Sequence, residues 1–201
     1  MAKRAAAEPA ETTSSPFRSS LAQDFDNAIA NWIDCSPNAN FGLGDEITIS
    51  FWLKADAASI GYEKVVSRKN IWNSLTNWEV SMYDARPDLM LIYGSSGVAT
   101  AQGPPGLDVT DWTYLTVTYS GTRVTFDANA LPNALGTVAA IVDDTSWPLT
   151  LGMQAGHSDA QYRGLMDEVR LSLGAQSRDN HITDYRGMKD PAAHAKIDIL
   201  M

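Results

Sequence analysis

Ile47, Ile49, Phe51 and Leu53 recur at every second residue, while Thr48, Ser50, Trp52 and Lys54 fill the other phase. That period puts one set of side chains on a core and the other on the opposite face of a sheet. The same period runs from Tyr162 to Leu173, read Y-R-G-L-M-D-E-V-R-L-S-L, where Leu165, Val169, Leu171 and Leu173 share a phase. Further short strands are predicted at 22–25, 32–35, 64–68, 78–83, 89–93, 112–119, 123–128 and 149–153. Helical periodicity is almost absent before residue 177. Many short strands with so little helix, in one chain of 201 residues, mean a sandwich or a barrel. A two-sheet antiparallel jelly roll suits the strand number and length best.

The breaks carry turn chemistry. Residues 26–31 (D-N-A-I-A-N) join the first two strands, Ser36 to Asn40 is a Pro/Asn loop, and Gly42, Gly44 and Asp45 make a turn. Residues 84–88 separate two strands, Ser120-Gly121-Thr122 is a hairpin signal, and Gly103-Pro-Pro-Gly106 marks a loop no helix could cross. Trp52 stands in the outer phase of its strand, so that face is covered or binds something. One short helix is predicted over 177–188, capped by Ser177 or Asp179, with Ile182 and Tyr185 packed. Residues 1–20, rich in Ala, Ser, Thr, Glu and Pro, read as a flexible arm. The jelly roll spans 21–175, and 176–201 hold the helix and a tail with an apolar finish, suited to docking.

Asp167 breaks the second pattern by falling in the apolar phase of its strand. A carboxylate aimed at a core is costly unless it is paired, hydrogen-bonded or metal-bound. The alternatives are a bulge that turns Asp167 outward, or loop amides that cap it.

A formal charge of −9 disfavours binding to a phosphate backbone and is compatible with calcium. Cys35 is the single cysteine, so no intrachain disulfide forms, and no C-x-x-C pattern suggests zinc. His157, His181 and His194 are too scattered for a metal cluster. The first sixteen residues lack the apolar run of a secretory signal, and no segment reaches a membrane span, so synthesis in a cytoplasm with release by lysis is the expectation.

The order F-D-N (25–27), W-I-D (32–34), I-T-I-S-F-W-L-K-A (47–55), V-V-S-R (65–68), W-T-Y-L-T-V-T-Y-S-G-T-R-V (112–124), P-L-T-L-G (148–152) and G-L-M-D-E-V-R-L (164–171) resembles laminin-G-like domains of the concanavalin A-like lectin and glucanase group. The similarity covers about residues 21–188. Where the family has a Y-x-D-G-like turn, this chain reads F-D-A-N at 126–129. The resemblance implies two jelly-roll sheets, ligands on a concave face or rim loops, and a structural calcium ion carried by Asp26 and Asp167 with backbone carbonyls.

Glucanases on this scaffold place paired carboxylates on one strand face, and no such run is present. Asp167 and Glu168 are adjacent, so a regular strand sends them to opposite faces. No G-x-S-x-G, H-E-x-x-H or phosphate-cradling loop appears. The sequence thus reads as non-catalytic. Its first reading is a structural or adhesive virion module of a bacteriophage, a capsid decoration or a head or tail appendage. In that reading the N-terminal arm and C-terminal tail contact other virion proteins, and the chain forms a homo-oligomer. The alternative is an extracellular carbohydrate-binding module. Trp72, Asn73, Trp147, His157 and Tyr162 lie in or beside loops and could form its glycan surface, while Trp78 reads as core. A hydrolase or lyase with a dispersed site is the third reading.

Overall fold

A computed structural model describes residues 10–12, 22–25, 32–35, 46–56, 62–69, 76–83, 86–93, 99–102, 107–137, 141–155 and 161–189. Its strands are β1 (Ala10–Thr12), β2 (Ala22–Phe25), β3 (Ile33–Asp34), β4 (Glu46–Ala55), β5 (Glu63–Ser67), β6 (Glu79–Tyr83) and β7 (Arg86–Tyr93). They continue as β8 (Ala99–Gln102), β9 (Thr113–Ser120), β10 (Arg123–Ala128), β11 (Leu131–Thr137), β12 (Thr150–Leu151) and β13 (Gly164–Leu173), followed by helix α1 (Arg178–Lys189). One sheet has the order β1-β2-β13-β4-β9-β10-β11 and the other β3-β12-β5-β6-β7-β8. Both are antiparallel ladders, and an isolated parallel bridge pairs Lys64 of β5 with Gln161, which precedes β13. This is the two-sheet antiparallel jelly-roll sandwich that the strand pattern predicts. Among the described residues no helix is long and apolar enough to cross a membrane.

The core lies between the sheets. Ile47, Ile49, Phe51 and Leu53 of β4 face Val117 and Leu115 of β9 on one side and Val66, Val80 and Met82 on the other. Trp78 is in this core, as its strand position suggests. The hairpin between β9 and β10 turns through Gly121 and Thr122. Residues Asn129 and Ala130, both at positive φ (51° and 62°), turn β10 into β11.

Four expectations change. Part of the expected flexible arm is a strand, since Ala10–Thr12 pairs with Ala22, Gln23 and Asp24. Pro87 does not break the chain between strands; β7 begins at Arg86 and runs through it. β8 and β11 were not anticipated; both are short on alternating large apolar residues (A-T-A-Q and L-P-N-A-L-G-T), so period-2 signal is faint there. The predicted loop at 36–40, the turns at 26–31 and 42–45, the loop at 103–106 and the tail from 190 lie outside the described residues.

The fourth change concerns β13. Its register pairs Asp167 with Trp52 and then Arg170 with Ser50, so Glu168 and Val169 together oppose Phe51. This is a β-bulge, and Glu168 takes the left-handed φ of 50° that such an extra residue adopts. The inserted residue reverses the phase midway. Met166, opposite Leu53, is buried, and beyond the bulge Val169 and Leu171 pack on the core. Leu165 is half-buried and Leu173 is 68% exposed, so neither belongs to the core. Asp167 shares the outer face with Trp52, and its Oδ1 accepts the Glu168 N–H at 2.8 Å. The bulge thus removes the need for a buried carboxylate.

Helix α1 starts where the sequence suggests: Ser177 Oγ accepts the Asn180 N–H at 3.4 Å, the geometry of an N-cap. Its buried residue is His181, with Ile182 and Tyr185 half-buried. The helix lies on the outer face of the seven-stranded sheet, where Tyr185 packs over Trp52 and Tyr114. Trp52 is therefore covered by a helix.

Candidate functional site

A cleft of about 280 Å3 opens where β2 and β4 end and β13 begins. Asp24, Lys54, Asp56 and Arg163 supply its charged lining, and Phe25, Ala55, Gly164 and Leu165 complete it. The register explains the gathering. Leu165 stands opposite Asp24 on one side and Lys54 on the other, so the three project from the same outer face. Gly164 stands between Phe25 and Ala55 at φ 137°. A Cβ there would meet the Lys54 carbonyl oxygen at 2.2 Å, so only glycine lets the strands close up beneath the cleft.

Arg163 is the most constrained polar group. Buried Glu63 accepts its backbone N–H at 3.0 Å and its Nε–H at 3.2 Å. The Arg163 carbonyl in turn accepts the Asp56 N–H at 3.0 Å. This grip fixes the guanidinium, and Nη2 is left buried without a partner. An orphan donor beside a cleft is a place for a ligand oxygen. Two carboxylates against two cations leave the lining without net charge. Such a lining can accept hydroxyl protons and donate to hydroxyl oxygens together.

Four residues carry the chain from this cleft to the outer face of the six-stranded sheet. There Gln161 bridges to Lys64, whose Nζ lies 2.7 Å from Glu79 Oε1, both side chains buried. Ser67 Oγ donates to Glu79 Oε2 at 3.4 Å, and Lys64 reaches Ser81 Oγ at 3.5 Å. Gln154 Nε2 and Gln161 Oε1 are buried without partners. At the cleft end of this face Tyr62, 44% exposed, meets Tyr83 edge-on at 4.6 Å, with Lys64 Nζ 5.5 Å from its ring centre. Tyr62 and Tyr83 escaped the sequence reading because neither sits in a loop rich in polar residues; their proximity comes from β5 and β6 pairing.

Burial pulls the Lys69 ammonium down from its ordinary 10.5 to about 8, with neighbouring Glu79 opposing the shift and Lys64 adding to it. The folded chain therefore holds that proton less tightly than the unfolded chain. Between about pH 8 and 10.5 the unfolded state binds more protons, so stability rises with pH. The urea midpoint is expected to climb from pH 8 to 9.5, below the range where tyrosines ionise. Lys69→Met is expected to flatten that climb; an unchanged slope would place the titration elsewhere.

Of the residues expected from sequence to form a glycan surface, Tyr162 and Trp147 are described, and they lie apart. Tyr162 is in the core, 1% exposed, edge-on to Phe25, and its hydroxyl donates to the Leu165 carbonyl. Burial, with Glu63 nearby, pushes its phenol well up. It anchors the cleft from beneath and presents no face to a ligand. Trp147 is half-buried beside the Asp144–Ser146 turn, at the end of the sandwich remote from the cleft, where Arg68 Nη1 meets Asp143 at 2.6 Å. Trp72, Asn73, His157 and Asp26 lie outside the described residues.

The calcium expectation finds little to hold an ion. Asp167 is occupied by the Glu168 amide, and the Glu168 carboxylate by Arg170 at 2.8 Å. Among the described residues no three acidic, histidine or cysteine side chains converge. A calcium shell needs six to eight oxygens, and Asp26, the other expected carrier, lies outside the described residues.

Comparison with known proteins places this architecture. A laminin-G-like model described as the concanavalin A-like lectin/glucanases superfamily matches residues 27–180. No curated protein sequence matches significantly. Domain 4 of AbnA, an extracellular GH43 arabinanase from Geobacillus stearothermophilus solved with arabinotriose, superposes with a TM-score of 0.64 at 16% identity, covering 89% of this chain and 81% of that one. The heptameric SAP-like pentraxin of Limulus polyphemus gives 0.55 at 13% identity, over 70% of each chain. The binding domain of botulinum neurotoxin DC, in complex with SialylT, gives 0.54 at 10% identity, over 78% of this chain and 39% of that one. With that model matched over most of its length and the two sheets in place, this chain belongs to the concanavalin A-like lectin/glucanases superfamily.

Proposed function

We propose that this protein is a non-catalytic carbohydrate-binding module that takes a neutral sugar in the cleft between Asp24, Lys54, Asp56 and Arg163. The observation that carries the reading is the cleft itself: open, uncharged overall, and lined by donors and acceptors held by backbone ladders. Carboxylates accept from sugar hydroxyls, and the orphan Arg163 Nη2 and the Lys54 ammonium donate to them. Support also comes from two fold relatives solved with ligands, domain 4 of an arabinanase with arabinotriose and a neurotoxin binding domain with SialylT. The net charge of −9 favours neutral glycans over anionic ones. An extracellular setting accompanies this reading. The virion reading, the first from sequence, drew on the absence of a secretory signal and of a disulfide and on the terminal segments, and the described part of the N-terminal one, β1, is taken up by the chain's own sheet.

Charged hydrogen bonds to a ligand are worth about 1.5–3 kcal/mol each, or roughly 10- to 100-fold in affinity. Asp56→Ala and Lys54→Ala, both at positions open to water, are therefore expected to weaken arabinotriose binding at least tenfold by calorimetry. Their melting temperatures should stay near that of the parent. Unaltered binding in both variants would remove the cleft from consideration. Reducing ends released from arabinotriose or longer oligosaccharides would overturn the non-catalytic assignment.

A further inference from the structure

The cleft does not end at Lys54. Two residues back along β4, on the same outer face and about 7 Å away, stands Trp52. Beside it is Tyr114 of β9, 5.4 Å between ring centres, then Ser50, Thr116, Thr48, Thr118 and Asp127. A sheet face that packs under a helix is ordinarily aliphatic. This one is hydroxyl, aromatic and carboxylate, the composition of a surface that meets water or a polyhydroxy ligand. Thr116 Oγ1 is buried on it beside the Tyr114 hydroxyl.

What covers the face is α1, and its hold is polar and stacked. His181 Nδ1 lies 2.8 Å from Asp127 Oδ2, and its Nε2 lies 3.5 Å from Thr118 Oγ1. Tyr185 lies nearly parallel over Trp52 (5.7 Å, 24°) and Tyr114 (6.1 Å, 26°). A ring stacked flat on an indole and a phenol is also the posture of a bound pyranose or furanose. The cover is weak in itself: twelve residues, including Asn180, Thr183 and Gly187, too short to persist as a helix once detached.

We propose that α1 is a displaceable cover over the continuation of the sugar cleft, with Tyr185 occupying the place of the next sugar rings of a bound chain. The inference rests on the reading of the cleft as a sugar site and adds its regulation and ligand length. With α1 seated, the site takes one sugar unit. With α1 displaced, a linear oligosaccharide runs from Lys54 onto Trp52 and Tyr114.

The test compares arabinose and arabinotriose by calorimetry, in the full chain, in the parent, Tyr185→Ala and Tyr185→Phe. Removing the ring is expected to strengthen arabinotriose binding about tenfold or more while arabinose binding stays level, and Trp52→Phe in that background should erase much of the gain. Tyr185→Phe, which keeps the stacked ring, should behave as the parent. Circular dichroism confirms that each variant is folded; should Tyr185→Ala fail that check, His181→Gln, which loosens the other end of α1, replaces it. If both sugars bind and their affinity ratio is the same in parent and variant, α1 is a fixed structural element and the cover falls while the cleft stands. If neither sugar binds any variant, the sugar-site reading and the cover that rests on it fall together.

Discussion

Glu79→Ala is expected to destabilise this protein more than any surface change. The carboxylate is fully buried and takes the Lys64 ammonium at 2.7 Å and the Ser67 hydroxyl at 3.4 Å. Truncation leaves Lys64, itself 4% exposed, as an ammonium facing a void, with the depressed Lys69 amine nearby. Breaking such a buried pair costs about 3–5 kcal/mol, because the surviving charge has lost what replaced its water. At roughly 2–4 °C per kcal/mol for a chain of this size, the melting temperature should fall by about 6–20 °C. The paired change Lys64→Met with Glu79→Leu removes both charges and is expected to recover most of the loss, since desolvating an ion pair offsets much of its attraction. A single variant that melts with the parent would mean that water reaches the pair and the face is open.

Gly164→Ala is expected to strike stability and binding together. The residue sits at φ 137°, where side chains are strained, and an added Cβ would lie 2.2 Å from the Lys54 carbonyl and 2.9 Å from Ala55 Cα. The strain alone is worth about 1–3 kcal/mol, and relieving the clash must part β4 from β13 at the floor of the cleft. Arabinotriose binding should be lost even at temperatures where the variant is folded. Gly121→Ala is the comparison: its φ is 68°, but nothing lies within 4 Å of the added atom. It should cost about 1–2 kcal/mol, the left-handed penalty alone, and leave binding unchanged. Equal losses in the two variants would mean that the clash at Lys54 carries no weight.

The legibility of this chain divides along range of interaction. Strands such as Glu46–Ala55 and Arg123–Ala128 could be read because period-2 patterning is local: one face must be apolar to close a core, and neighbouring residues record it. The start of α1 could be read for the same reason, since a serine cap acts within three residues. Family membership followed from seven such stretches in order. The site was mostly illegible. Loop aromatics suggested a glycan surface, yet Tyr162 went to the core because its hydroxyl finds a carbonyl three residues on while its ring packs on Phe25.

Asp167 shows the boundary most directly. Its place in the apolar phase was plain in the sequence, and so was the choice between a buried carboxylate and a bulge. Which one holds depends on pairing with β4, where two residues oppose Phe51 and the phase reverses. The sequence by itself determined most of the strands, the two-sheet class and the helix cap, all set by backbone geometry and local burial. Tertiary structure alone decided that Asp24, Lys54, Asp56 and Arg163 share a cleft and that Tyr185 lies on Trp52. Those groups come from β2, β4, the residues just after β4 and just before β13, and α1, and cross-strand register, which joins residues more than a hundred positions apart, leaves no periodic trace in any one of them.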